Sequence, residues 1–245
     1  MKSSISLFLC SLISFAAALP QAGNLTRRDV GFRADPAGNI GGIYLAALAS
    51  TQVPLAAFPH NRDVFTDVQI YGDWLNLDGV SAFYFFADMD VDCDGVAGCS
   101  DDPSGQPETS FGHLDATQVP YFVLPATFTE THGDIVQPNA VGAILCNGQM
   151  LYGIFGDNNG ATPQVIGEAS LLLAETCFPN EGLSANQGHT ALDVLYIVFG
   201  TRVTPGVGDE TIDIPTLKLV GDDQVGLLQS RLGLGPLFGG APGPH

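Results

Sequence analysis

Hydrophobic residues lie in short runs along most of the chain, and glycine, proline and acidic residues separate these runs. Residues 82–87, 120–125 and 194–199 are rich in aromatic or β-branched side chains. Runs of this length and composition are typical of buried strands. The pattern therefore predicts a molecule built mainly from short β-strands.

One pair of runs carries a turn signal between its members. Residues 141–146 and 149–155 are mostly apolar and flank Asn147 and Gly148. An Asn-Gly dipeptide readily adopts the positive φ angles of a tight type I′ turn, so these two runs predict a β-hairpin.

Three further segments have the composition of short helices, namely 42–49, 168–177 and 222–232. The last of them places Val225, Leu228 and Leu232 on one face, as an amphipathic helix does. Strands of even length with few helices predict a mainly β protein, folded as a single-domain small β-barrel.

Both ends of the chain differ in composition from its centre. Residues 1–18 combine Lys2, an apolar run and small alanines, which is the layout of a secretory signal peptide. The stretch 19–28 ends in a dibasic pair. This pair predicts that the stretch is a pro-segment removed by cleavage, although the two arginines could equally be solvent-exposed residues without such a role. We expect a folded domain over 29–232, a disordered Gly/Pro-rich tail over 233–245, and secretion to the extracellular medium.

The charge is strongly acidic, with 8 Lys and Arg against 26 Asp and Glu and a formal net charge of -18. Such a surface repels nucleic acid and anionic lipid. It attracts cations, whether metal ions or a cationic polymer, and acidity alone does not distinguish between these partners. No run after the predicted signal peptide has the length and apolarity of a membrane span.

Four cysteines remain once Cys10 is assigned to the signal peptide, and four cysteines allow three disulfide pairings. Cys93 and Cys99 are near enough in sequence to close a small loop, so the preferred second pair is Cys146 with Cys177. Their spacings match no common zinc pattern with histidine partners.

Two acidic residues flank a glycine-containing loop that can fold back on itself. Asp157 follows the second strand of the predicted hairpin, and Glu168 begins a predicted helix. Paired carboxyl groups of this kind can hydrolyse a glycosidic bond. The helix dipole would keep Glu168 ionised as a base, and partial burial would suit Asp157 to the role of acid, with the reverse assignment left open. Alternatively, Glu168 only caps the helix and Asp157 only makes a turn.

Several ordered motifs over roughly residues 70–200 resemble the fungal chitosanases of glycoside hydrolase family 75. The matching stretches are DMDVDCDG (88–95), DPSGQ (102–106), CNGQMLYGIFGDNNG (146–160), GEAS (167–170), CFPN (177–180), GH (188–189) and DVLYIVF (193–199). The resemblance implies an inverting, endo-acting hydrolase of chitosan, with Asp157 and Glu168 as its catalytic acids. Carboxyl groups of inverting enzymes stand ~6.5–9.5 Å apart. The order of hairpin, acidic loop and helix is also reminiscent of double-psi β-barrels.

Asp90, Asp92 and Asp94 form a second acidic group. With Gly95 and Asp101 they have the register of an EF-hand calcium loop, although Asp101 stands where that loop needs a bidentate Glu. The family resemblance suggests instead that these acids, with Asn158, bind the protonated amines of glucosamine, and a solvated acidic turn is a third interpretation. The alternatives to an enzyme are thus a non-catalytic polysaccharide-binding protein or a calcium-binding protein. We expect a monomer that acts on chitosan without a cofactor or metal, and that binds neither nucleic acid nor, after signal removal, a membrane.

Overall fold

The computed structural model describes residues 31–35, 38–62, 64–95, 109–204 and 211–235. Eight strands and four helices are found in these parts of the chain. In chain order they are α1 (Ile40–Ala49), β1 (Pro54–Asn61), β2 (Val64–Tyr71), β3 (Phe83–Asp92), β4 (Tyr121–Pro125), α2 (Ala126–Thr131), β5 (Ala140–Cys146), β6 (Gln149–Asn159), β7 (Glu168–Ser170), α3 (Leu171–Cys177), β8 (His189–Val203) and α4 (Ile214–Arg231). The mainly β architecture with few helices is confirmed.

Six of the strands close into a barrel. Their order is β3-β7-β4-β6-β5-β8, and β8 pairs back with β3 to complete the circle. The β3–β7 and β4–β6 pairs are parallel, whereas β8 runs antiparallel to both of its neighbours. The closed six-stranded barrel confirms the predicted small β-barrel, while the double-psi comparison stays a prediction. β1 and β2 form an antiparallel hairpin that extends the sheet outward from β3.

The barrel strands are buried on both faces, which explains why they appear in the sequence as continuous apolar runs. Every residue of β4 and β5 is buried, and so is the central part of β8. α4 covers the β5–β6 side, where Gly221 lies so close to the Tyr152 ring that a Cβ would come within 2.5 Å of it. The predicted hairpin is confirmed, with positive φ angles of 47° at Asn147 and 68° at Gly148.

Two sequence expectations need correction, and one element was missed. Residues 168–170 are not helical, because they form β7 between β3 and β4, and the helix begins only at Leu171 after its cap Ser170. The C-terminal helix is longer than predicted and starts at Ile214. The β1–β2 hairpin was not predicted, since prolines at 54 and 59 interrupt its pattern.

The disulfide between Cys146 and Cys177 is confirmed and joins the end of β5 to the end of α3. Cys93 is also disulfide-bonded. Its predicted partner Cys99 lies outside the described residues, as do the predicted signal peptide, the pro-segment and positions 236–245 of the predicted tail. Among the described residues, no helix combines the length and apolarity needed to cross a membrane.

Candidate active site

A cleft of ≈ 700 Å³ is lined by residues of β3, β4, β6 and β7. All five of the acidic residues predicted to catalyse or to bind substrate line it, and Asn158 does as well. They are Asp90, Asp92, Asp94, Asp157 and Glu168. Residues separated by up to 78 positions are thus brought into one acidic depression.

Strand order fixes the relation between the two predicted catalytic acids. Glu168 lies on β7 and Asp157 on β6, and β4 lies between these strands. Two strand spacings separate their backbones by roughly 10 Å. A β-bulge at Gly156 shifts the register, so that Phe155 pairs with Phe122 while Asp157 pairs with Val123. Bulges commonly redirect a side chain in this way.

Asp157 is buried, and three donors converge on one of its carboxylate oxygens. The backbone N–H and the hydroxyl of Ser110 each donate to Oδ1 over 2.6 Å, and the N–H of Asn158 donates over 2.8 Å. These three hydrogen bonds fix the orientation of the Asp157 carboxyl group in the cleft. Ser110 was not identified from the sequence, because it lies 47 positions from Asp157 and belongs to none of the matched motifs.

Glu168 is in a different electrostatic environment. Burial is the main cause that raises the pKa of its carboxyl to about 7; Asp90 raises it further, whereas the hydrogen bond from Asn159 and the charge of Arg62 lower it. The Asn159 amide donates to Oε2 over 2.6 Å. The expectation that a helix dipole keeps Glu168 ionised is therefore wrong, since Glu168 is in a strand and burial favours its protonated form.

The acids on β3 lie beside both predicted catalytic residues. Asp90 is in register with Glu168 across the parallel β3–β7 pair. Burial raises the pKa of Asp92 well above its usual range, and the charge of Asp157 raises it further. Carboxylate oxygens of Asp92, Asp94 and Asp157 all lie within 4.8 Å of one another, so these three residues could hold a cation.

The structure does not agree with an EF-hand at this position. Asp90 and Asp92, which would be the first ligands of the loop, belong to β3 and pair with β7. An EF-hand loop leaves these positions free to bend around the ion. The remaining positions of that loop, 96–101, lie outside the described residues.

Comparison with known proteins identifies the family of this chain. Residues 89–215 match the family described as fungal chitosanase of glycosyl hydrolase group 75. The chain belongs to this family. All of the cleft acids named above fall within the matched segment.

Three relatives illustrate the extent of the similarity. An endo-chitosanase C of Aspergillus oryzae is 44% identical over 211 residues, which are 83% of this chain and 55% of that protein. An endo-chitosanase of Aspergillus fumigatus is 44% identical over 147 residues, or 52% of this chain and 60% of the relative. An endo-chitosanase B of Aspergillus oryzae is 40% identical over 170 residues, and the alignment covers 59% of this chain and 69% of the relative. The chain thus spans a little over half the length of endo-chitosanase C.

A hydrogen bond between a histidine and a buried aspartate lies next to the cleft. The Nδ1 of His60 is 2.8 Å from Oδ2 of Asp88, whose side chain is buried. Burial raises the pKa of Asp88 to about 7, although the bond from His60 lowers it. The hydroxyl of Tyr196 donates to the carbonyls of Asp88 and Gly167, so this pair is packed against the residue that precedes Glu168.

Gly167 and Gly188 allow the close packing of these carboxyl groups. A Cβ at Gly167, where φ is 110°, would lie 2.4 Å from Oδ1 of Asp88, and one at Gly188 would lie 2.0 Å from Oδ1 of Asp90. Both glycines fall in motifs that were identified from the sequence. Asn61 and Arg62 also line the cleft, but they lie before the family segment and carry no sequence signal.

Proposed function

We propose that the protein is a secreted endo-chitosanase that hydrolyses the β-1,4 bonds between glucosamine units of chitosan. The observation that carries this proposal is that Asp157 and Glu168 line one acidic cleft in a member of the fungal chitosanase family. Relatives named endo-chitosanase match 83% of the chain, which supports the same activity here.

The environments of the two carboxyl groups support distinct roles. A carboxyl group whose pKa is about 7 still carries its proton in a mildly acidic medium, so Glu168 is suited to protonate the leaving oxygen as general acid. The three hydrogen bonds that Oδ1 of Asp157 accepts hold this carboxyl group in place, which suits it to the role of general base that activates water. An inverting mechanism then requires ~6.5–9.5 Å between the carboxyl groups, which a separation of two strand spacings can accommodate.

The other acids of the cleft are proposed to bind the substrate. Asp90, Asp92 and Asp94 would attract the ammonium groups of glucosamine, and Asn158 would contact its hydroxyl groups. Burial raises the pKa of both Asp90 and Asp92. A bound ammonium group opposes that shift, because an adjacent positive charge favours the ionised carboxylate. Binding of a cationic sugar would thus relieve repulsion that the empty cleft retains.

The proposed activity is tested by measuring the reducing ends released from chitosan. We expect hydrolysis by the wild type and its near-complete loss in Asp157→Asn and Glu168→Gln. Glu130→Gln and Asp134→Asn are matched controls, because they make the same isosteric changes at exposed positions. Full activity in both folded cleft variants would rule out the proposed residues. Tight chitosan binding by the wild type without any product would indicate a binding protein instead.

Two finer points need separate measurements. NMR of the first products identifies their anomeric form, and retention of configuration would contradict the inverting mechanism. N-terminal sequencing of the protein from a culture medium would test secretion and processing, with a first residue of 19 or 29 expected. A protein that stays inside the cell would contradict the proposed localisation.

A further inference from the structure

Asn159 ends β6 and lies between the two proposed catalytic acids. Side chains two positions apart on a strand point to the same face, so Asn159 shares a face of β6 with Asp157. Both residues are buried, and both line the cleft. The amide of Asn159 also contacts Glu168 on β7, since its Nδ2 lies 2.6 Å from Oε2. One side chain of β6 thus spans the gap between the strands that carry the two acids.

The direction of this hydrogen bond is fixed by the other end of the amide. The backbone N–H of Ala161 donates to Oδ1 of Asn159 over 3.1 Å. An N–H group can only donate, so the amide atom that faces Ala161 is the oxygen, and the one that faces Glu168 is the nitrogen. Oε2 of Glu168 is therefore the acceptor in its contact with Asn159.

This acceptor role determines where a proton on Glu168 is held. A protonated carboxyl group has a hydroxyl oxygen, which carries the proton, and a carbonyl oxygen, which accepts hydrogen bonds. Because Asn159 donates to Oε2, the contact favours the form of Glu168 whose proton is on Oε1. Among the described residues no hydrogen bond is found at Oε1, which leaves that oxygen available to a substrate.

We propose that Asn159 is a positioning residue, which holds Glu168 by Oε2, sets its separation from Asp157 and directs the acidic proton onto Oε1. The inference rests on the proposed function, in which Glu168 is the general acid and Asp157 the general base. The proton on Oε1 passes to the leaving oxygen, whose bond to carbon breaks. Asp157 takes a proton from the water that forms the new bond to the same carbon. An inverting enzyme must keep room for this water between its acids, and a strand residue fixed beside one acid and bonded to the other meets that requirement.

The experiment compares the wild type with Asn159→Asp and Asn159→Leu on short glucosamine oligomers, which dissolve at acidic and neutral pH. Asn159→Asp has the same shape but replaces the donor with a second acid, whereas Asn159→Leu removes the donor without adding a charge. We expect kcat to fall by roughly 10- to 100-fold in both variants, because a carboxyl group that is not held is seldom aligned with the leaving oxygen. The KM of Asn159→Asp should not rise, because the added charge attracts a cationic sugar.

A second measurement separates positioning from general damage to the fold. Burial raises the pKa of Glu168, and the hydrogen bond from Asn159 opposes that rise. Without the donor, Glu168 should titrate at a higher pH in both variants, and more so in Asn159→Asp, where a second acid adds repulsion. NMR of ¹³C-labelled glutamate carboxyl groups measures the titration midpoint, and Glu168→Gln identifies the signal. Asp90, Arg62 and Asp157 also act on Glu168, and the substitutions leave all three in place.

Asn147→Asp is the matched control. Asn147 also donates an amide hydrogen bond, to the carbonyl of Cys177 over 3.0 Å, but it does not line the cleft. This variant should keep the kcat and the Glu168 midpoint of the wild type. Wild-type kcat in both folded Asn159 variants would overturn the inference, and so would a lowered kcat with an unchanged Glu168 midpoint. A wild type that releases no product from any chitosan would refute the proposed function, a result that neither of these outcomes resembles.

Discussion

The cleft and the face covered by α4 treat charged groups in opposite ways. On the α4 face, charges have direct partners: Lys218 pairs with Asp222, which also accepts from the Tyr152 hydroxyl, and Arg231 pairs with Asp78. In the cleft, carboxyl groups adjoin one another, and burial raises the pKa of Asp90, Asp92 and Glu168. The difference indicates that charges on the α4 face are compensated within the fold, whereas the cleft keeps uncompensated acids that destabilise the folded state and are free to serve the proposed reaction.

The largest expected effect is on the activity of a cleft variant. Glu168→Gln removes the proposed general acid, and such groups typically contribute 10²–10⁴-fold to the rate. Initial rates on chitosan should fall by about that factor. Thermal melting should show a folded protein at least as stable as the wild type, because a buried acid is replaced by a neutral amide. If Glu168→Gln lowered the melting temperature by many degrees, this acid of the cleft would stabilise the fold, which would contradict the contrast between the two regions.

The complementary change is made on the α4 face. Leu217 is fully buried, and Leu217→Ala should cost about 2–5 kcal/mol of unfolding free energy through lost contacts and a cavity. Denaturant unfolding measures this loss. Below the unfolding transition, the KM for chitosan should match that of the wild type, because Leu217 does not line the cleft. A changed KM at low temperature would show that the two regions are coupled.

The pH dependence of stability is expected to come from the cleft and from Asp88 next to it. The pKa of Asp88 and that of Glu168 rise from 3.8 and 4.5 to about 7 on folding, so the folded state holds more protons between these limits. Their stabilising contribution is complete below about pH 4 and is lost as the pH rises through 7. Free energies of unfolding measured from pH 4 to pH 8 should fall by on the order of a few kcal/mol, and melting temperatures should fall with them.

Glu168→Gln is the matched test of that origin. Its melting temperature should decline less steeply than that of the wild type over the same pH range, because one of the contributing groups no longer titrates. Asp134→Asn, at an exposed position, should leave the slope unchanged. If the melting temperature of Glu168→Gln changed with pH as steeply as that of the wild type, the pH dependence would originate outside the cleft.

The smallest effect is expected for calcium. Asp90 and Asp92 lie in a strand and do not form an EF-hand loop, and the acids of the cleft are proposed to bind ammonium groups, so we expect millimolar calcium to leave the melting temperature unchanged. An ion that binds only the folded state must raise its stability. A calcium-dependent increase, abolished in Asp94→Asn, would show that the cluster of Asp92, Asp94 and Asp157 holds a cation after all.

Local sequence signals predicted much of the barrel. The Asn147-Gly148 turn, the apolar runs of β3, β4 and β8, and the pairing of Cys146 with Cys177 all depend on neighbouring residues or on cysteine counting. β7 could not be predicted in this way, since its three residues become a strand only through pairing with β3 and β4. That pairing also reverses the electrostatic argument made for Glu168.

The residues of the candidate site that lie in family motifs were predicted from the sequence. Those that lie outside such motifs were not. Asp157 and Glu168 lie in such motifs, and the structure brings them to one cleft. Ser110 and Arg62 come from connecting segments whose sequence has no regular pattern, so only the folded chain brings them to the site. Long-range contacts of this kind leave no local trace in the sequence.

β7 has a consequence for how the proposed active site would form. This three-residue strand supplies the pairing that joins β3 to β4, and it also carries Glu168. The barrel therefore cannot close at this seam without bringing that carboxyl group to the cleft. If Glu168 is the general acid, as proposed, closure of the barrel and assembly of the site are one event, and turnover of chitosan would report on the fraction of molecules whose barrel is closed.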